Sequence, residues 1–122
     1  MAHEHFTDFR TRRERENERV LATGDLVTKR FFALDSAAYR DGALPGQTKE
    51  LLGLTASMVL RCNDCIDYHL EQCVRAGWDR AQLEEAMSVA LVVGGSIVIP
   101  HLRHAYTSLA FLESEQAAEN DQ

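Results

Sequence analysis

The chain has 122 residues, a length that suits one domain. Its formal net charge is −6, and it has no basic stripe interleaved with aromatic residues, so we expect no nucleic-acid partner. Two prolines, seven glycines and an apolar content of 45% favour a packed core over a disordered chain. Three cysteines, an odd number, fit a secreted disulfide framework poorly.

A membrane span is not expected. The most apolar segment, residues 86–99, contains two serines and two glycines, is shorter than a bilayer requires and ends at Pro100. The N-terminus lacks the charged-then-apolar order of a signal peptide. We therefore expect a cytoplasmic location, where a Cys-x-x-Cys pair is more often catalytic or metal-binding than structural.

Apolar residues recur every three to four positions, which predicts an all-α, single-domain bundle of about six helices. The first helix, residues 7–22, is mostly charged and is typical of a solvated helix face. A second helix, capped by Asp25, reaches residues 41–42, and a third begins near residues 47–48 after the turn at Pro45-Gly46. The second helix has an apolar face made of Leu26, Phe31, Phe32, Leu34 and Ala38.

The second half of the chain has clearer helix boundaries. A fourth helix is predicted over residues 61–76, with Gly77 as its C-terminal stop. Residues 79–82 form a capping box for a fifth helix, which Gly94-Gly95 interrupts. A last helix follows through Leu112, and Pro100 is compatible with its first turn.

These patterns divide the chain into a charged N-terminal helix (residues 1–24), a helical domain (25–113) and a flexible acidic tail (114–122). The segment 86–99 is apolar nearly all round, which suits a helix buried on every side. Since six helices in so short a chain leave much apolar surface uncovered, we expect a homo-oligomer.

Two thiols and an imidazole occupy one short segment, Arg61-Cys62-Asn63-Asp64-Cys65-Ile66-Asp67-Tyr68-His69. Offsets of 0, +3 and +7 fall on one stripe of an α-helix, so Cys62, Cys65 and His69 should share a face. Cysteines three apart in a helix have Cα atoms about 5 Å apart, within disulfide range. One sulfur can attack as a thiolate, the second can close a disulfide, and His69 can move the proton.

The residues alone leave the attacking sulfur open. Cys62 lies nearer the helix start and gains more from the helix dipole, whereas Cys65 lies nearer the base; we favour Cys65. Asp64 and Asp67 disfavour a nearby thiolate. The pair could also be a buried apolar filler or part of a zinc site. Cys62 and Cys73 are about 16 Å apart along one straight helix, too far for one metal, but a smaller site made of Cys62, Cys65 and His69 with an outside ligand stays open. Cys73 is interpreted as buried filler, and we expect no metal or cofactor.

The segments Lys49-Glu50-Leu51-Leu52, Arg61 to His69, Ala76-Gly77 and Gly94-Gly95 together resemble the carboxymuconolactone decarboxylase superfamily. Within it, the pattern is similar to the alkylhydroperoxidase D-like branch: a glutamate twelve residues before Cys-x-x-Cys and a histidine four residues after it. The resemblance covers about residues 30–112. It implies an alkylhydroperoxidase D-like helical fold that assembles into trimers or hexamers.

The resemblance also implies a peroxiredoxin-type reaction. Cys65 would attack the peroxide, Cys62 would protonate the leaving alcohol and then close the disulfide, and Glu50 and His69 would relay protons. A thiol partner, thioredoxin-like or a lipoyl protein, would reduce the disulfide. By itself, a glutamate in a first helical turn is usually a solvated complement to the dipole, so only the resemblance gives Glu50 this role.

Some features depart from that pattern. Asp64 stands where the better-studied hydroperoxidase has a histidine, which puts the proton relay in doubt. His101 and His104 have no counterpart and are interpreted as surface or interface residues. Two other functions stay open: a lactone decarboxylase, as the superfamily name suggests, and a non-catalytic oligomer whose thiols sense redox state.

Overall fold

A computed structural model describes residues 2–121, and the side chains from position 5 onward. This part of the chain forms six α-helices joined by short turns, with no strand, so the all-α prediction is confirmed. The helices are α1 (Ala2–Thr23), α2 (Leu26–Ala38), α3 (Gly46–Val59), α4 (Asn63–Arg75), α5 (Arg80–Gly94) and α6 (Ile99–Asn120). A short 3₁₀ turn, Ser96–Val98, precedes α6.

Several predicted helix boundaries are confirmed. Asp25 caps α2 by accepting a hydrogen bond from the Thr28 amide, and Asp79 and Gln82 form the capping box of α5. Gly77 and Gly95 adopt φ values of 97° and 84°, the left-handed region that glycine enters without a Cβ clash. Pro100 lies in the first turn of α6, where its missing N–H costs no helical hydrogen bond.

Other boundaries were wrong. Helix α2 ends at Ala38 rather than at residues 41–42, and α4 begins at Asn63 rather than near Arg61. Helix α6 continues to Asn120, eight residues beyond the predicted end at Leu112, and therefore includes most of the segment assigned to an acidic tail. Glu115 is held there by Arg10 of α1, which explains why an acidic sequence continues the helix.

The core lies where α3, α4, α5 and α6 meet, and α1 covers one side of it. Its buried apolar residues come from five of the helices and the 3₁₀ turn: Phe6, Phe9, Leu54, Met58, Ile66, Leu70, Cys73, Val74, Leu83, Met87, Ala90, Val98, Ala105, Leu109 and Leu112. The prediction that α1 is a solvated charged face was therefore incomplete, because Phe6 and Phe9 anchor it in the core. This placement of α1 brings its arginines beside α4.

Two apolar surfaces are exposed in the single chain. Helix α2 buries none of its described side chains, and Phe31 and Leu34 of its predicted apolar face are both 66% exposed. On α5, Val92 and Val93 are 84% and 69% exposed, so segment 86–99 is not buried on every side within one chain. Between residues 2 and 121, no helix has the length and apolar character needed to cross a membrane.

Candidate active site at the corner of α3 and α4

The first motif cysteine lies in the corner between two helices. Helix α3 ends with the Arg61 amide donating to the Met58 carbonyl and the Cys62 amide donating to the Ser57 carbonyl, the pattern of a Schellman motif. Arg61 occupies the left-handed position with φ of 60°, where glycine is more common. Cys62 is therefore extended, outside α4, and serves as the N-cap of that helix.

This corner corrects the prediction that both cysteines lie within one helix. The spacing survives, because an N-cap and the third helical residue are still one turn apart: the Cα atoms of Cys62 and Cys65 are 5.3 Å apart, and the sulfurs form a disulfide. The Cys65 amide also donates to Cys62 Sγ at 3.3 Å. Cys65 is exposed and Cys62 is partly buried, so Cys65 presents the more accessible sulfur.

His69 lies one turn after Cys65 and contacts one residue of α3 and one in the turn after α2. Its Nδ1 lies 2.8 Å from Glu50 Oε2 on α3, and its Nε2 lies 3.4 Å from the Tyr39 hydroxyl. Because a carboxylate only accepts, we assign Nδ1–H as the donor to Glu50, which leaves Nε2 to accept from Tyr39. Burial, followed by the charge of Glu50, raises the pKa of Tyr39, so its hydroxyl keeps its proton.

The structure thus places the four predicted site residues in two contacting pairs, Cys62 with Cys65 and Glu50 with His69. Glu50 and His69 are only 14% and 12% exposed at the side chain, so Glu50 is not a solvated dipole complement. Tyr39 was missed by the sequence analysis. It lies 30 residues from His69 in a turn after α2, and no local spacing pattern links the two.

Gly53 on α3 makes this arrangement possible. A Cβ at this position would lie 2.8 Å from His69 Nδ1 and Cε1 and 2.9 Å from the Tyr39 hydroxyl. These separations are shorter than real Cβ contacts, so only glycine lets the imidazole and the phenol approach α3 this closely. Gly53 therefore sets the distance between α3 and the His69 ring, and the sequence motif gave no indication of this role.

A groove of about 360 Å³ opens beside the disulfide, between α1, α2 and α4. Cys65 and His69 line it together with aromatic side chains, among them Phe31, Phe32 and Tyr68. Arg12 and Arg13 of α1 line the same groove. Glu16, Asp35 and Asp64 line the groove with these arginines, so the accessible sulfur and the imidazole face one cavity with an apolar wall and an edge of mixed charge.

The acidic residues of the motif have partners that limit their effect on the thiols. Arg12 donates to both oxygens of Asp64 at 3.0 and 3.1 Å, and this contact raises the pKa of the arginine. The positive charge of Arg12 offsets the negative charge of Asp64 beside Cys65. Asp67, two residues beyond Cys65, points to the opposite face of α4, since two residues correspond to about 200° of helix rotation.

Two other predictions concern residues outside this cavity. Cys73 is fully buried and unpaired with another cysteine, and burial raises the pKa of its thiol to about 12, which fits its interpretation as core filler. His101 and His104 are not simply surface residues. His101 contacts Asn63 at 2.8 Å, and His104 packs inside the chain on Asp67 at 3.0 Å.

The chain is similar to a known protein family over most of its length. The model of the carboxymuconolactone decarboxylase family matches residues 25–108, which include Glu50, Cys62, Cys65 and His69. The chain belongs to this family.

The carboxymuconolactone decarboxylase fold is shared with solved relatives. A protein of this family from Thermotoga maritima, for which involvement in the antioxidative response has been suggested, is 54% identical. The similarity has a TM-score of 0.82 and covers 93% of this chain and 94% of that one. An apo family member from Legionella pneumophila is 26% identical with a TM-score of 0.77, covering 91% and 96% of the two chains.

An uncharacterised protein of Cupriavidus necator is 30% identical over 114 residues, or 91% of this chain and 98% of the relative. The similarity to each of the three relatives covers at least 91% of this chain. Membership of the carboxymuconolactone decarboxylase family therefore applies to the molecule as a whole and not to the motif alone.

Proposed function

We propose that this protein is a thiol-dependent hydroperoxide reductase of the alkylhydroperoxidase D-like type, with peroxiredoxin activity and an antioxidant role. The observation that carries the proposal is the shared cavity: the accessible sulfur of the Cys62–Cys65 pair and the Glu50-bound His69 line the same groove. The antioxidative role suggested for the Thermotoga relative supports the same reading.

The oxidative half of the cycle uses two steps. The Cys65 thiolate attacks one peroxide oxygen, the O–O bond breaks, and Cys65 becomes a sulfenic acid while the alkoxide leaves. The alkoxide takes a proton from the Cys62 thiol and departs as an alcohol. The Cys62 sulfur then displaces hydroxide from the sulfenic acid, a proton converts it to water, and the disulfide forms.

His69 serves this chemistry as a proton carrier. Its Nδ1–H is held by Glu50, which orients the ring and stabilises the imidazolium that forms when Nε2 accepts a proton. Tyr39 contacts the accepting nitrogen and can pass a proton onward. The site residues of the proposal are thus Cys65, Cys62, His69 and Glu50, with Tyr39 added from the structure.

The reductive half needs an external dithiol. One partner thiolate attacks the exposed Cys65 sulfur, the Cys62 sulfur leaves as a thiol, and the second partner thiol closes a disulfide in the partner as it releases Cys65. A thioredoxin-like or lipoyl protein supplies two thiols of the required kind. Two electrons and two protons pass from the partner to this protein in each cycle.

The family name suggests a different reaction, a lactone decarboxylation. That reaction needs a group that stabilises a developing enolate and a proton donor, and a pair of bridged cysteines supplies neither. The Cys62–Cys65 disulfide favours the redox reaction over the decarboxylation.

A peroxide assay tests the proposal. Reduced protein is mixed with an alkyl hydroperoxide and dithiothreitol, and peroxide loss is followed for the parent, Cys65→Ser and Cys73→Ala. We expect Cys65→Ser to lower turnover by more than about 100-fold, because it removes the attacking atom, and Cys73→Ala to keep it within about twofold. Equal peroxide loss in the parent and Cys65→Ser would overturn the proposal. No turnover in the parent, with the disulfide still cycling, would indicate a redox sensor instead.

A further inference from the structure

A second cluster of polar side chains lies on the face of α4 opposite the disulfide. Asp67 is 1% exposed and is surrounded by three polar groups from other helices. His104 Nε2 of α6 lies 3.0 Å from both carboxylate oxygens, and His5 Nε2 of α1 lies 3.3 Å from one of them. The Ser108 hydroxyl donates to Asp67 Oδ1 at 2.6 Å.

We propose that His5, Asp67 and His104 form a binding site for a divalent transition-metal ion of the zinc type. Their ligand atoms all lie within 4.8 Å of one another, and two imidazoles with one carboxylate are a donor set that zinc commonly takes. This site contains no cysteine, so it differs from the zinc site at Cys62 and Cys65 that the motif left as an alternative.

The distances fit the proposed ion. Tetrahedral zinc with bonds of about 2.0–2.1 Å separates neighbouring ligand atoms by about 3.3 Å. The carboxylate of Asp67 already lies 3.0 Å from His104 Nε2 and 3.3 Å from His5 Nε2, close to the separation that zinc requires. Only the two imidazoles must approach one another, and the His5 side chain, 48% exposed, has room to rotate. Its exposure also leaves the fourth position open to water.

The surroundings also support an ion at this place. The Ser108 hydroxyl fixes the carboxylate from behind, as the outer hydrogen bonds of metal ligands commonly do. Imidazoles ligate metals in their neutral form, so in the occupied site the buried carboxylate would supply the negative charge that a divalent cation offsets. The ion would connect α1, α4 and α6, so its expected role is structural and independent of the peroxide chemistry.

The test uses the oxidised protein without a histidine tag, so that the disulfide keeps Cys62 and Cys65 from binding the ion. Zinc chloride is titrated calorimetrically into the parent, His5→Gln, His104→Gln and, as matched control, His101→Gln, which removes a histidine from the same helix as His104. Cobalt(II) is then added to the parent to record the visible absorption of four-coordinate cobalt.

We expect one zinc ion per chain, a higher melting temperature with zinc, and at least about tenfold weaker binding in His5→Gln and His104→Gln than in His101→Gln. His5 is half-exposed, so its variant is informative even if His104→Gln is unstable. Absence of stoichiometric binding to the parent, or equal affinity in His5→Gln and His101→Gln, would overturn the proposal and leave the cluster as a hydrogen-bond network. The proposed peroxidase activity is unaffected by either result.

Discussion

At the residue scale, the site depends on close contacts of His69 with Glu50 and Tyr39 and on its close approach to Gly53. The Cys-x-x-Cys spacing gave the correct Cα separation. The family resemblance, and not the position of Glu50 alone, singled out Glu50 and His69, which the structure places in contact. Tyr39 and Gly53 could not be found in the same way. Their importance comes from how closely α3 approaches His69, which is a tertiary distance with no local sequence pattern.

Gly53 offers a direct test of that approach. Gly53→Ala would place a methyl group 2.8 Å from the His69 ring, so we expect the ring to move off Glu50 and peroxide turnover to fall by roughly tenfold. The overpacking should lower the free energy of unfolding by about 1–3 kcal/mol. The higher helix propensity of alanine should offset about 1 kcal/mol of that loss. Turnover with dithiothreitol and thermal unfolding measure the two effects.

The control for this substitution is Gly42→Ala, where the added Cβ would have its nearest neighbour, Lys49 Nζ, at an ordinary 3.6 Å. It should leave turnover unchanged. Full turnover in Gly53→Ala would show that the contact between His69 and Glu50 does not limit the reaction.

At the element scale, the cap residues of the helices were predicted correctly from the sequence. The end of α6 and the burial of α1 were not. Capping signals are local, so Asp25 and Asp79 were identified correctly. Arg10 joins α1 to two distant segments: its guanidinium contacts Glu71 of α4 and Glu115 of α6 and stacks on Phe6. Such a contact between distant segments has no periodic signature.

Arg10→Gln should loosen this junction. Glu71 is buried and would lose its main partner, so we expect a loss of about 2–4 kcal/mol in the free energy of unfolding at pH 7. Urea unfolding measures it, with exposed Arg30→Gln on α2 as the control. A loss no greater than that of Arg30→Gln would show that the Arg10 contacts do not stabilise the fold.

The same junction gives a pH dependence with a defined sign. The hydrogen bond from Arg10 lowers the pKa of Glu115, so the native state holds this proton less tightly than the unfolded state. The resulting stability is fully present above the unfolded value of about 4.3 and is lost as the pH falls below it. The difference in stability between the parent and Arg10→Gln should therefore narrow between about pH 5 and pH 3.

At the scale of the whole molecule, the all-α bundle followed from the three- to four-residue periodicity, but the surroundings of segment 86–99 did not. Segment 86–99 is apolar on every side, and such a pattern is expected whether a helix face is buried within its own chain or between chains. The sequence alone therefore does not distinguish the two kinds of burial. In the single chain one side of α5 packs on the core through Met87 and Ala90, while Val92 and Val93 face outward.

We expect this outer face of α5 to lie between copies of the chain. Light scattering coupled to size-exclusion chromatography should give a multiple of 13.7 kDa, consistent with a trimer or hexamer. Val92→Glu should lower that mass because it places a charge in the interface, whereas Val27→Glu on α2 should not. A parent mass of 13.7 kDa would contradict the expectation, and sensitivity to Val27→Glu alone would move the interface to α2.

The corner between α3 and α4 also has a consequence for the reaction cycle. Cys62 closes the end of one helix through its amide and begins the next through its carbonyl, which accepts from Ile66. Both bonds belong to the main chain, so neither depends on whether the sulfurs are bridged. Opening and closing the bridge should thus require only side-chain rotation, with little reorganisation of the scaffold from one turnover to the next.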